Sequence, residues 1–187
     1  LNRVVRWTAS GLTYEADPRQ SEKLIRELGM EGSKAVSTPV TKRTVEEVSR
    51  DILLSSERVT HFRGLAARSN YLSADRPECQ FSAKEVCRWM AAPTELGVQD
   101  LKRLARYLVG KPRLLYVYKW QSADAMDLYS DTDWAGCVRT RNSTSGGAAM
   151  VGSHLIKSWS STQPNISLSS GEAEMVGVTR AAAAGFG

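Results

Sequence analysis

Apolar positions along the 187-residue chain follow two rhythms, largely helical between about residues 17 and 110 and alternating beyond about residue 123. The opening stretch NRVVRWTASGLTYEAD places strand formers (Val4, Val5, Trp7, then Leu12 and Tyr14) on either side of Ser10-Gly11, which predicts a hairpin. Asp17-Pro18 then opens a helix with proline at its first position. Leu24, Ile25 and Leu28 share one face, and Gly29 supplies the stop. EGSKAVSTPVTKR reads as loop, and VEEVSRDILLSSERVTHFRGLAARSNYL as helix in pieces. Cys79, Ala83, Val86, Cys87 and Met90 recur at helical spacing, so the two cysteines belong to a core rather than to a reactive site. Pro93 breaks that helix and Thr94 caps the next. Its stripe is Val98, Leu101, Leu104, Ala105 and Leu108, ended by Gly110 and Pro112.

RLLYVYKW (113–120) reads as a strand and QSADAM as polar punctuation, which puts a domain boundary near residue 123, between domains 1–123 and 124–187. Beyond it DLYSD, TSGGAAMVG and HLIKSWS predict three strands, the last two joined as a hairpin at Gly152-Ser153, with His154 as a hairpin residue. NISLSS reads as a short strand or strand end. GEAEMVGVTRAAAA is an Ala-rich helix, with Ser169 as N-cap and Glu172 as its capping-box partner. Gly146-Gly147 inside a strand predicts a bulge or a close backbone approach. The fold class is therefore α+β, ending in an antiparallel meander with a helix packed on one face.

Composition narrows the setting. Apolar residues are 42% of the chain, close to the globular value, and no apolar run approaches the roughly 20 residues that span a bilayer. No basic-then-apolar leader opens the chain. Three cysteines without a CxxC pair and only two histidines argue against zinc. A reduced intracellular location, in a cytoplasmic particle or the nucleus and not secreted, fits best. A first residue Leu1 within a strand and a last residue Gly187 at a helix end suggest a piece of a longer polypeptide.

Charge is uneven. Residues 1–123 carry 21 Lys and Arg against 14 Asp and Glu, whereas residues 124–187 carry 4 against 6. The basic part suits a polyanionic partner, although ordinary surface charge explains it equally well. Lys102, Arg103 and Arg106 project from the polar side of the helix after Thr94, and Lys111 and Arg113 follow. They form either a solvated amphipathic face or a clamp on a nucleic-acid backbone. Trp134 and Trp159 could stack on bases but are better read as packing residues. Ser143, Thr144 and Ser145 are turn residues or phosphate donors.

The acids carry the sharpest chemistry. Asp131 and Asp133 end the strand in LYSDTDWAG. Glu172 is used by the cap, whereas Glu174 in the same helix has no structural task. A strand carboxylate and a helix-start carboxylate that converge repel each other unless a cation lies between them. Hard carboxylate oxygens suit Mg²⁺, with Mn²⁺ as the substitute, and such ions serve phosphodiester cleavage. The alternative is that these acids serve only turns and helix dipoles.

The order YLSADRPECQFSAKEVCRWMAAPT, LKRLARYLVGKP, YSDTDWAGC, RNSTSGG and HLIKSWSSTQPNISLSSGEAEM closely resembles the copia-type retrotransposon Pol polyprotein. The resemblance spans the end of its reverse transcriptase region and the start of its ribonuclease H domain. LGMEGSKAVSTPVTK looks like the segment after the reverse transcriptase palm. The resemblance implies a helical reverse transcriptase remnant, palm end or thumb-like, behind the N-terminal hairpin. It implies a truncated ribonuclease H-like fold of three antiparallel strands and the first helix after it. Asp131, following Ser130, then matches the family's metal-binding strand aspartate. Glu174, the second Glu of S-x-x-E-A-E, matches its helix glutamate, and Asp133 is the reserve candidate. The implied partners are an RNA–DNA hybrid or other nucleic acid and the rest of the Pol polyprotein, with no membrane. The family's further metal-binding aspartate and its polymerase aspartates have no counterpart here, so the expectation is an inactive piece of an active enzyme. A catalytically dead nucleic-acid-binding remnant and a non-functional genomic relic are the rivals.

Overall fold

The computed structural model describes residues 2–186. The predicted hairpin forms from β1 (Val4–Thr8) and β2 (Gly11–Glu15), and β3 (Leu115–Lys119) extends it to a sheet of order β1-β2-β3. Gly11 is required at the turn. Its φ is +149°, and a Cβ there would lie 2.0 Å from the Tyr118 carbonyl oxygen. A second sheet, of order β4-β5-β6, consists of β4 (Met126–Asp133), β5 (Thr144–Val151) and β6 (His154–Thr162), all antiparallel. The chain divides into two compact units. One joins the residues up to Thr8 with Leu12–Tyr116, the other Ala9–Gly11 with the chain from Val117 onward.

The first unit is built on helices. Asp17 caps α1 (Pro18–Glu27), its Oδ1 accepting from the Arg19 N–H at 3.1 Å, and Gly29 follows at φ +64°. After α2 (Val45–Ser49), whose Thr44–Glu47 capping box is complete, come α3 (Ser56–Ser73), a 3₁₀ turn over Pro77–Cys79, α4 (Gln80–Cys87) and α5 (Glu95–Gly110). Thr94 caps α5 as predicted, accepting from the Gly97 N–H. Leu24, Phe62, Leu65, Val86, Leu101, Leu104 and Leu108 are buried in one cluster. Cys79 is fully buried there, and burial pushes its thiol up to about 12, so it is an inert core residue. Among the described residues no helix is long and apolar enough to cross a membrane.

The second unit packs α6 (Ser170–Phe186) on its sheet through small residues. Ala173, Gly177 and Ala181, four apart, are the buried positions of the helix. A Cβ on Gly177 would lie 2.6 Å from Thr132 Oγ1, so the helix approaches β4 more closely than a side chain allows. Gly147 makes the expected close approach. A Cβ there would meet Trp159 Cζ2 at 2.1 Å and the Tyr129 carbonyl oxygen at 2.6 Å. The β5–β6 register slips between Ala149 and Met150.

Two local expectations are corrected. The NISLSS segment is not a strand. Side chains replace its ladder: the Ser167 carbonyl accepts from Trp134 Nε1 at 3.0 Å, and the Leu168 N–H donates to Glu172 Oε2 at 2.7 Å. The second bond also shifts the capping box. Ser169 Oγ accepts from the Glu172 N–H at 3.2 Å, but Glu172 reaches back to Leu168 rather than to the cap itself.

Candidate functional site

β4 ends with its acids because of what surrounds them. Thr132 faces α6, its hydroxyl donating to the Ala173 carbonyl at 3.4 Å, and Leu128 lies under Gly185. Strand alternation then turns Tyr129, Asp131 and Asp133 to the face away from the helix. Asp131 stands opposite Gly146 in the ladder and is exposed. Glu174, one position past Ala173, is exposed on α6. The Thr132–Ala173 bond thus sets the segments bearing the two carboxylates side by side, one on each side of the sheet. β4 pairs only with β5, so the path between the two side chains runs around the open edge of β4. Asp133 is turned elsewhere: its carboxylate lies against Gly136, where a Cβ would stand 1.8 Å from Oδ2.

Asp131 and Glu174 supply the hard oxygens that Mg²⁺ prefers, and both are open to solvent. The two stand on opposite faces of the sheet, so the expected convergence on one ion is not what the described residues show. Among the described residues no group of three His, Cys, Asp or Glu side chains could hold a metal, so the pair has no third partner here.

Polar residues behind the acids are the part of this region that sequence reading placed on the surface. Ser143, Thr144 and Ser145 are buried and cannot reach a phosphate. Ser143 Oγ accepts from the Ala135 N–H at 3.0 Å, where φ is +51°, and this fixes the turn after β4. Gln163, absent from the sequence-based candidates, is buried among them. A glutamine followed by proline between a strand and a helix cap is a weak signal, and nothing in its spacing marked it as interior. Trp159 packs on Gly147 as expected, whereas Trp134 is 46% exposed and is held by its indole N–H rather than by burial. His154 closes the β5–β6 turn, its ring 5.1 Å from that of Tyr118.

The cation row of α5 is largely occupied. Arg103 donates to Thr38 Oγ1 at 2.8 Å and Arg106 to the Lys34 carbonyl at 2.8 Å, and both are half-buried. Arg43 returns from the same loop to Asp100 at 2.6 Å. The loop therefore covers the polar side of α5. Arg113 forms a two-pronged ion pair with Glu15 that holds this carboxyl below the usual carboxylate range. Lys102 and Lys111 stay exposed.

Comparison with known proteins places most of the chain. It is 34% identical over 167 residues to an uncharacterized mitochondrial protein of Arabidopsis thaliana, covering 88% of this chain and 67% of that protein. It is 34% identical over 152 residues to the retrovirus-related Pol polyprotein from transposon RE1 of the same plant, and 32% identical over 157 residues to that from transposon RE2. These alignments cover 81% and 83% of this chain but only 10% and 11% of the polyproteins, so the chain spans about a tenth of their length. No family model and no solved structure matches. On the strength of these relatives, the chain belongs to the copia-type retrotransposon Pol family.

Proposed function

We propose that the chain is the junction of a retroelement polymerase, joining the end of its reverse transcriptase region to the first half of its ribonuclease H domain. The parent activities on this reading are RNA-directed DNA synthesis and cleavage of RNA in RNA–DNA hybrids. The observation that supports it most is the meander β4-β5-β6 followed by α6, with Asp131 on the edge strand and Glu174 in the helix laid over it. By the resemblance Asp131 and Glu174 occupy the positions of the family's Mg²⁺- or Mn²⁺-binding carboxylates, although their placement on opposite faces of the sheet does not by itself bring them onto one ion. Two ligands do not fix a metal geometry, so these 187 residues alone are inactive. The remaining partners are the rest of the Pol polyprotein and a nucleic-acid duplex, in an intracellular particle or the nucleus.

The test uses a Pol segment that contains this chain and continues past residue 187. It should cleave the RNA strand of a hybrid with Mg²⁺, and Asp131→Asn or Glu174→Gln should abolish cleavage. Cleavage that persists in Asp131→Asn overturns the assignment. The second reading, a binding remnant without catalysis, is favoured by the exposed Lys102 and Lys111 of the first unit and by an acid pair that lacks a third ligand among the described residues. Salt-sensitive hybrid binding without cleavage in the longer segment would select it.

A further inference from the structure

The first unit is not filled where three of its helices meet. A half-enclosed cavity of about 170 Å³ lies there, between the end of α1 and the first halves of α3 and α5. Helical spacing builds its walls. Arg58, His61, Phe62 and Leu65 are one stripe of α3, and Val98, Leu101 and Lys102 one stripe of α5. Floor and walls are hydrocarbon: Leu28, Leu54, Phe62, Leu65, Val98 and Leu101. The Phe62 ring is spent on Gly97, where a Cβ would lie 3.1 Å from it, so it does not fill the space.

The mouth is charged, and its charges do not balance. Arg58 is held by both oxygens of Glu95, and Glu27 lies 3.6 Å from Arg68. His61 and Lys102 are exposed and make no hydrogen bond or ion pair among the described residues. The Glu95 carboxyl is held below its ordinary range first by the Arg58 hydrogen bond, and Lys102 adds to this. At the mouth and just behind it, therefore, the three cations Arg58, Arg68 and Lys102 stand around the two carboxylates Glu27 and Glu95.

We propose that this cavity binds a small aryl carboxylate, its ring on the Leu65–Leu101 floor and its carboxylate at Lys102 and His61. The volume fixes the size of the body. An apolar cavity of about 150 Å³ admits benzene, so this one takes a single ring. The floor fixes its polarity. No side chain there offers a donor or acceptor, so a nucleobase would leave its ring edge unpaired, whereas a hydrocarbon ring leaves nothing unpaired. The mouth fixes the charge. One surplus positive charge suits a monoanion, and a carboxylate accepts from an ammonium and an imidazole N–H together.

The experiment follows the backbone amide signals of the 187-residue chain while phenylpropionate is added. Signals of Leu65, Val98 and Leu101 should shift together and saturate with a dissociation constant on the order of 1 mM, as a ligand of this size allows. Phenylpropanamide, which has the ring but no charge, should bind about threefold more weakly. Propionate, which lacks the ring, should shift none of these signals. Lys102→Ala should close most of the gap between acid and amide and leave amide binding as it was. Val98→Phe fills the cavity and should remove both. If Val98→Phe does not fold, Leu28→Phe fills it from the α1 wall and is read the same way. An amide that binds as tightly as the acid, or a gap unchanged by Lys102→Ala, overturns the carboxylate as the ligand's head. Cavity signals that stay still well above the expected constant, or a folded Val98→Phe that binds as before, remove the site altogether.

Discussion

Gly147 shows how single atoms decide the second unit. The residue faces Ser130 on β4 and Trp159 on β6, and its missing side chain is filled by the indole. A methyl group there collides with Trp159 Cζ2 and with the backbone oxygen of Tyr129, so turning the indole relieves only half of the clash. Gly147→Ala should destabilise the chain by about 1–3 kcal/mol, the usual cost of overpacking. Urea unfolding followed by tryptophan fluorescence measures it, and an unchanged midpoint would contradict the packing described. The pair of glycines was visible in the sequence as a sign of close approach. What approached was not, because the ladder register that sets Trp159 opposite Gly147 is a long-range property. Ser143, Ser145 and Gln163 were illegible for a related reason. Hydroxyls and amides read as surface until their partners are known, and these partners lie on other strands and on α6.

Elements were more legible than their contacts. The starts of α1 and α5 followed from Asp17 and Thr94, since a cap is a local hydrogen bond. The strand at 165–170 was misread because Pro164 and the side-chain bonds around Ser167 and Leu168 replaced a ladder that alternation alone suggested. The basic row on α5 was read correctly as its polar side, but the loop over it was not foreseen: Arg103 and Arg106 bond to Thr38 and Lys34, far away in sequence. Arg113 illustrates the same exchange of roles, because it ties the chain after α5 to Glu15 at the end of β2. The hydrogen bond from Arg113 lowers the Glu15 carboxyl below its ordinary value near 4.5. A lowered carboxylate contributes stability that is present above the unfolded value and lost as pH falls through the folded one. Glu15→Gln should therefore unfold at lower urea than wild type at neutral pH, and the gap should close as the pH is taken below about 4. Midpoints measured across that range decide the matter; a gap that stays constant into acid would show that the pair contributes no proton-linked stability.

At the scale of the whole molecule, the charge asymmetry and the proposed function both call for a polyanionic partner, and the structure restricts which cations could meet it. The basic residues before residue 123 outnumber the acids by 21 to 14, yet many are committed to internal pairs such as Arg43–Asp100, Arg58–Glu95 and Arg113–Glu15. A cation that bonds its own chain is already partly neutralised and releases few counterions when a phosphate arrives. Lys102 and Lys111 are exposed and carry no such pair among the described residues, so they should dominate the electrostatic part of hybrid binding. Anisotropy of a labelled RNA–DNA hybrid across a salt series separates the cases. Lys102→Ala should reduce the slope of log K against log salt by about 1, the value for one lost phosphate contact. Arg103→Ala and Arg106→Ala should change it by clearly less, because their guanidinium groups are spent on Thr38 and the Lys34 carbonyl. Equal slope changes for all three would mean that the loop over α5 lifts away on binding and frees its arginines. A wild-type chain that binds no hybrid at low salt would remove the nucleic-acid partner altogether and leave the basic residues as the scaffold of the first unit.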